Sequence, residues 1–359
     1  MFELPANDNI TNISRLQILG KNSAGELGRT LTHEHLALCF TDFYVQPPTR
    51  LKRFLDGKID LQNVGILKQY PYSSVYNVTF NDTDTAKAVF DDVKLFREFG
   101  GGTIVENSNH GLKRDIPLMQ KISRETGINI IAGTGHYVAA TQSPSDLNLS
   151  KEQMYSLIVK EMTVGCDECP DVRAGFIGEV GSTWPIENFE KRAIQATGEA
   201  QAQLKCPVSF HPGRDPAAPF EIMRIYQEAG GDSRKAILSH LDRTLTDEQR
   251  LLEFADDTKC YCQFDLFGIE CSFYQLHPPT DMPSDAQRIQ RIKLLRDDGK
   301  LNRILLSHDI HTKHRLVNFG GHGFAHILSN VLPKMLVKGF TQDELDTLTI
   351  VNPRTWLSY

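Results

Sequence analysis

No stretch of this 359-residue chain approaches the roughly 18 uncharged apolar residues that a membrane-spanning helix needs. The opening Met1-Phe2-Glu3-Leu4-Pro5 has neither the basic start nor the apolar run of a secretory signal, so cytosolic residence is the default expectation. Positive charge is not in excess. With 39 Lys and Arg against 45 Asp and Glu, the net charge is −6, and no global basic field for nucleic acid exists. Neither nucleic acid nor membrane is therefore an expected partner. Cysteine is sparse and odd in number, seven in all, which implies no disulfide framework. Cys166-Asp167-Glu168-Cys169 lacks the second pair that a structural zinc would require and reads as reduced loop thiols, whereas Cys206, Cys260 and Cys262 read as core. Internal repeats, low-complexity tracts and inter-domain linkers are also missing, so a single domain over 1–359 is the economical expectation.

What the chain does have is an alternation. Short apolar, β-branched or aromatic runs recur at 30–36, 102–106, 128–133, 173–179, 207–211, 235–240, 260–265 and 303–309, as buried parallel strands should. Helical periodicity separates most of them, at 85–99, 114–126, 150–164, 187–204, 217–229, 246–256 and 284–298. Gly100-Gly101-Gly102 precedes a strand rather than opening a helix, so it reads as a helix stop and not as a phosphate loop. Strand then helix, eight times, predicts an α/β fold, a (β/α)8 TIM barrel. Residues 40–83 interrupt the pattern after the first strand, rich in Pro, Tyr, Phe and Asn, and are expected to form a lid or substrate wall. Residues 322–359 read as one or two closing helices, with Pro333 early or at a kink.

The chemistry concentrates at the ends of these strands. In Thr32-His33-Glu34-His35-Leu36 the two imidazoles, at i and i+2 on a strand, can converge on one point. Four further runs end in a metal-ligand type: Glu179, His211, His240 and Asp309. A barrel keeps its reactive groups at the C-terminal ends of its strands, and five such coincidences in one chain point to a metal centre. His308 precedes Asp309 and, by strand alternation, should point away from it. His110, His277 and His314 read as loop or packing residues. His322 and His326, at i and i+4 with no accompanying acid, read as helix surface rather than as a metal pair.

Taken in order, Gly28-Arg29-Thr30-Leu31-Thr32-His33-Glu34-His35-Leu36, Gly175-Phe176-Ile177-Gly178-Glu179-Val180-Gly181, His211-Pro212-Gly213-Arg214, Ser239-His240-Leu241-Asp242-Arg243-Thr244, Phe264-Asp265-Leu266-Phe267-Gly268, His308-Asp309-Ile310-His311-Thr312-Lys313 and Gly320-Gly321-His322-Gly323 resemble the signatures of the phosphotriesterase family, within the amidohydrolase superfamily. The resemblance spans about residues 26–357. It implies two divalent metal ions, usually zinc: His33, His35 and Asp309 on one, His211 and His240 on the other, and Glu179 bridging them. Imidazole and carboxylate ligands suit zinc, and paired metals suit hydrolysis. Where phosphotriesterases and lactonases of similar fold carry a lysine that must react with carbon dioxide, this chain has Glu179, already a carboxylate. Where lactonases carry an arginine it has Leu266, which makes lactone and phosphotriester hydrolysis the secondary expectation.

The branch that the motif set resembles implies hydrolysis of the linear amide N-acetyltaurine, and of related N-acyl amino acids, to the amine and acetate. The expected mechanism is attack by metal-activated water, with Glu179 and Asp309 as the catalytic carboxylates and Asp309 carrying the proton to the leaving amine. A small anionic N-acyl substrate needs a cation near the mouth. Arg243, three residues past His240, is the first candidate, followed by Arg214, Lys313, His311 and His136; the bland alternative pairs such charges with loop acids such as Asp215 or Asp242. A catalytically silent metal-binding scaffold is the reading from another class, and the complete ligand set argues against it. A homodimer is a family-level expectation only.

Overall fold

A computed structural model describes residues 27–359, so the reading of the first five residues lies outside it. Eight strands form one parallel sheet in chain order: β1 (Arg29–Glu34), β2 (Gly101–Glu106), β3 (Asn129–Thr134), β4 (Phe176–Gly181), β5 (Val208–His211), β6 (Ala236–Leu238), β7 (Tyr261–Phe264) and β8 (Ile304–Leu306). Their registers run from Leu31 beside Ile104 to Gln263 beside Leu305. The ring closes between β8 and β1 without a regular ladder. The His33 N–H donates to Ser307 Oγ at 2.9 Å, and the Asp309 N–H to the His33 carbonyl at 3.1 Å. The architecture is the (β/α)8 barrel expected from the alternation, with strands buried on both faces because helices cover the outside.

The helices follow from local signals. They are α1 (Thr83–Glu98), α2 (Ile116–Thr126), α3 (Lys151–Thr163), α4 (Asn188–Leu204), α5 (Ala218–Glu228), α6 (Glu248–Thr258) and α7 (Asp285–Asp297). Asp82 caps α1 by accepting from the Thr85 N–H, and Val89, Val93 and Phe96 form its buried stripe. Capping boxes open α3 (Ser150 with Gln153) and α7 (Ser284 with Gln287). Gly127 ends α2 in the left-handed conformation, φ 71°, and Gly100 follows α1 with φ 87°, the stop expected of it. No described helix is long and apolar enough to cross a membrane.

The fourth strand departs from its expected span of 173–179. Ala174 and Gly175 are committed before the ladder begins, their N–H groups donating to the carbonyls of Glu161 and Ala132. The ladder instead runs two residues past Glu179, to Gly181 beside His211. Glu179 therefore sits inside a strand rather than at its tip. Gly133 on β3 is required by the same crowding, since a Cβ there would lie 2.0 Å from the Gly178 carbonyl oxygen. His240 and Asp309, in contrast, lie beyond the last residues of their strands. Asp309 has φ 55°, so a turn, not strand alternation, separates the directions of His308 and Asp309.

The 40–83 segment is built of short helices, Lys52–Leu55, Val64–Gln69 and Val75–Val78, tied at its base by an antiparallel pair, Leu38–Cys39 with Thr79–Phe80. It forms a wall over the mouth: Tyr72 stacks on His311, with ring centroids 6.1 Å apart at 11°, and meets Tyr274 edge-on. At the C-terminus a π-type turn, Ile327–Val331, leads into Leu332–Val337 with Pro333 in its first turn, and a second helical stretch ends at Leu357. Cys206, Cys260 and Cys262 are buried and all cysteines in the described residues are free, as expected.

One buried charge network fastens the wall of the barrel. Glu161 on α3 accepts from Arg114 Nη2 at 2.6 Å, from Arg114 Nη1 and His110 Nε2 at 3.0 Å, and from Thr134 Oγ1 on β3. Burial opposes its ionisation, but the His110 and Arg114 bonds win and hold its carboxyl at about 2 against an ordinary 4.5. The folded value lies below the unfolded one. The contribution is thus complete above pH 4.5 and disappears as pH falls toward 2. We expect Glu161→Gln to lose about 3 kcal/mol near neutrality, the equivalent of that displacement. The gap to wild type should narrow in denaturation curves taken from about pH 5 downward. A gap that stays constant with pH would mean that packing, not charge, fastens α3.

Candidate metal centre

All six metal-type residues singled out in the sequence meet at the C-terminal mouth of the barrel, and all are buried. Glu179 is the hub. Its Oε2 lies 2.9 Å from His211 Nδ1, 3.3 Å from His240 Nε2 and 3.4 Å from His33 Nε2, and its Oε1 lies 3.7 Å from His35 Nε2. Asp309 Oδ1 lies 3.1 Å from His35 Nε2 and 3.6 Å from His33 Nε2. Glu179 thus faces both halves of the cluster, whereas Asp309 Oδ1 faces the β1 pair and its Oδ2 faces His311 at 3.3 Å and His240 Nδ1 at 4.0 Å. The chain obtains the last two directions at a conformational cost, because His240 (φ 57°) and Asp309 (φ 55°) are both left-handed.

The outer nitrogens show which atoms are free to bind a cation. Ser108 Oγ lies 2.7 Å from Glu106 Oε1 and 3.0 Å from His35 Nδ1. A hydroxyl has one proton; donated to the carboxylate, it leaves Ser108 to accept the His35 Nδ1–H, so that Nε2 carries the lone pair. Asp265 does the same for two rings, its Oδ1 2.8 Å from His240 Nδ1 and its Oδ2 3.3 Å from His33 Nδ1. Asp265 could itself be grouped with His33 and His240 as a ligand. Its contacts are to their Nδ1 atoms, on the side away from Glu179, so it orients the imidazoles instead. Ser239 and Gln263 complete the support of His33.

This donor set fits metal ions on two observations. His33 Nε2 is buried with no hydrogen-bond partner among the described residues, and the ring nitrogens His240 Nε2 and His211 Nδ1 face each other at 2.9 Å beside the shared Glu179 Oε2. The electrostatics agree. Burial disfavours a charged His33, yet Glu179, Asp265 and Asp309 push it up to about 10, the mark of a site that demands positive charge. His211 is driven down to about 3 by burial, with His240 and Arg243 adding to the effect against Glu179. Burial also opposes the charges of Glu179 and Asp309, but surrounding histidines hold both carboxyls well below their ordinary range.

Several residues were not legible as functional from sequence. Asp265, Ser108, Ser239 and Gln263 hold the imidazoles of the cluster by their outer nitrogens, so only proximity in space reveals them. Glu34 stood in plain view between His33 and His35. Its Oε1 accepts from Ser307 Oγ (2.8 Å), His308 N–H (2.8 Å) and His308 Nδ1 (2.7 Å), and its Oε2 accepts from the Ile310 N–H (3.0 Å). Arg315 takes the opposite dipoles, donating to the carbonyls of His308, Asp309 and Phe267. Asp309 is held between this anion and this cation.

The candidate cations separate clearly. Asp242 does not pair with Arg243; its Oδ2 accepts from Arg288 Nε at 2.9 Å and from the Leu266 N–H at 3.0 Å. Asp215 caps its own turn through the Ala217 N–H, and Arg214 donates to the Tyr274 hydroxyl. The bland pairing therefore fails for both arginines. Lys313 is spent on Asp82 and two carbonyls of the insertion and so does not serve the mouth, and His136 lies tilted against His110 and edge-on to Phe189. His311 lies against Asp309, its Nδ1 3.3 Å from Oδ2. His322 and His326 are not helix surface. His322 precedes the helix and stacks on His308, and His326 Nε2 lies 2.7 Å from Asp285, because this turn is drawn onto His308, whose Nε2 accepts from the Ile327 N–H.

A parallel barrel whose mouth gathers four histidines and two carboxylates around buried, cation-demanding atoms defines a metal-dependent hydrolase. Residues 15–357 match the Phosphotriesterase family, and the chain belongs to that family, whose members are binuclear metal enzymes. A Phosphotriesterase-related protein of Aedes aegypti is 53% identical over 337 residues, covering 92% of this chain and 94% of its own. One of Drosophila persimilis is 49% identical, covering 95% and 98%. Among solved structures, a resiniferatoxin-binding protein from Rhodobacter sphaeroides is similar with a TM-score of 0.90 at 29% identity, covering 96% of this chain and 94% of that one. The phosphotriesterase homology protein of Escherichia coli, complexed with phosphate in its active site, has a TM-score of 0.73 at 25% identity, covering 92% and 99%.

Proposed function

We propose that this protein hydrolyses a small anionic N-acyl substrate, N-acetyltaurine foremost, to taurine and acetate. The observation that carries the reading is the convergence of His33, His35, His211 and His240 on Glu179, with Asp309 against the β1 pair and Arg243, which no described carboxylate pairs, on the next turn after His240. His33, His35 and Asp309 would hold one divalent ion and His211 and His240 the other, with Glu179 between them; zinc is the ion that these donors suit best. Ions so held acidify water and polarise a carbonyl oxygen. The rest falls to the chain. Asp309, with His311 against its Oδ2, takes the proton of the attacking water at its carboxylate and delivers it to the nitrogen of the breaking amide bond. Arg243 binds the anionic end of the substrate, and Tyr72 and Tyr137 shield the mouth from bulk water. Leu266, buried against Asp242, leaves no cation at the position where lactonases are expected to carry one.

Because Glu179 is a carboxylate without prior chemistry, metal loading of the apoprotein should proceed equally with and without bicarbonate. A strong bicarbonate requirement, measured by metal content after desalting, would remove Glu179 from the bridging role. The functional assay is release of taurine from N-acetyltaurine by protein shown to hold two metal equivalents. Absence of release by such protein would overturn the substrate and bring lactones and other N-acyl amino acids forward.

A further inference from the structure

Three arginines line one cavity of about 360 Å³ at the mouth, on the side of β5 and β6: Arg214, Arg243 and Arg291. Each comes from a different element. Arg214 is three residues past His211, Arg243 three past His240, and Arg291 lies on α7. Like charges crowded around a cavity repel, and a fold ordinarily relieves that with intervening carboxylates. Among the described residues no carboxylate bonds any of the three. Arg243 is only 4% exposed, and the one hydrogen bond of its guanidinium is a 3.5 Å contact to Thr244. Arg214 meets only the Tyr274 hydroxyl, at 2.8 and 3.0 Å, and Arg291 only the Asp242 carbonyl. Two neighbouring acids are committed elsewhere: Asp242 and Asp285 bind Arg288. Asp281, the single acid in the lining, is exposed and bridges to none of the three. A buried guanidinium, Arg243, flanked by the half-buried Arg214 and Arg291, all with open donors, is what oxyanion recognition needs, because planar forks match the paired oxygens of a sulfonate or carboxylate. Arg214 and Arg243 follow His211 and His240 by three residues each, and Arg214 bonds Tyr274, whose ring meets Tyr72 over His311, so the cavity lies beside the metal centre.

We propose that Arg214, Arg243 and Arg291 together form an oxyanion-binding subsite that seats the anionic end of the substrate and selects for it. This rests on the proposed function for the identity of the substrate, but the subsite itself can be tested without turnover. The probe is ethanesulfonate, a weak metal ligand, titrated calorimetrically into the metal-loaded protein. Arg214→Gln, Arg243→Gln and Arg291→Gln should each weaken its binding by about tenfold or more. Arg291→Lys, which keeps the charge on a partly exposed helix position, should retain most of the affinity and guards against a folding defect. In turnover, each Gln variant should raise KM for N-acetyltaurine while leaving that for the neutral amide N-ethylacetamide near wild type. Ethanesulfonate affinity unchanged in all three variants overturns the subsite even if N-acetyltaurine is cleaved. Arginine-dependent binding without any amide cleavage upholds the subsite and overturns the amidase reading instead.

Discussion

Asp309→Asn is expected to lower turnover of an amide substrate by about 10³-fold while the protein retains most of its metal. The asparagine keeps an oxygen where Oδ1 now faces His35 and His33, at 3.1 and 3.6 Å, so metal binding weakens without vanishing. It removes the ability to take a proton. The aspartate holds a full negative charge there because the histidines around it outweigh its burial, and an amide side chain cannot substitute for that charge as a base. Amide cleavage is the stringent case, because the leaving nitrogen departs poorly unless protonated. Turnover and metal content measured on the same preparation decide the matter. Loss of both in equal proportion would make Asp309 a ligand and nothing more.

Glu34→Gln should destabilise the fold by about 3 kcal/mol or more and loosen metal binding, although Glu34 touches no substrate. Four hydrogen bonds end on its carboxylate, all buried, two of them from the N–H groups immediately before and after Asp309. Glutamine would turn one of its two acceptor oxygens into a donor facing other donors. The left-handed turn at Asp309 would then lose the anion on its donor side while Arg315 still pulls on its carbonyls. Denaturation curves read the first effect and a chelator competition the second. A loss below about 1 kcal/mol with unchanged metal affinity would show the turn to be held by other contacts.

The barrel was readable because its determinants are local and periodic. Apolar strand runs, amphipathic stripes such as Val89, Val93 and Phe96, and caps such as Asp82 and Ser284 each act over a few residues. Boundaries failed where a distant group decided them, as when Glu161 and Ala132 claim the backbone before β4 begins. The direction of Asp309 failed likewise as a strand argument, since its turn depends on Glu34 and Arg315 rather than on alternation.

The chain by itself determined the repeating strand–helix order, the ligand types placed near strand ends, and a carboxylate already present at Glu179. These are matters of residue chemistry at fixed spacing. Only the tertiary structure decided which imidazole nitrogen each histidine offers, that Asp265 orients rather than binds, and that Asp242 goes to Arg288 and leaves Arg243 open. Those outcomes are competitions among donors and acceptors brought together from residues more than twenty positions apart, and no local pattern carries their result.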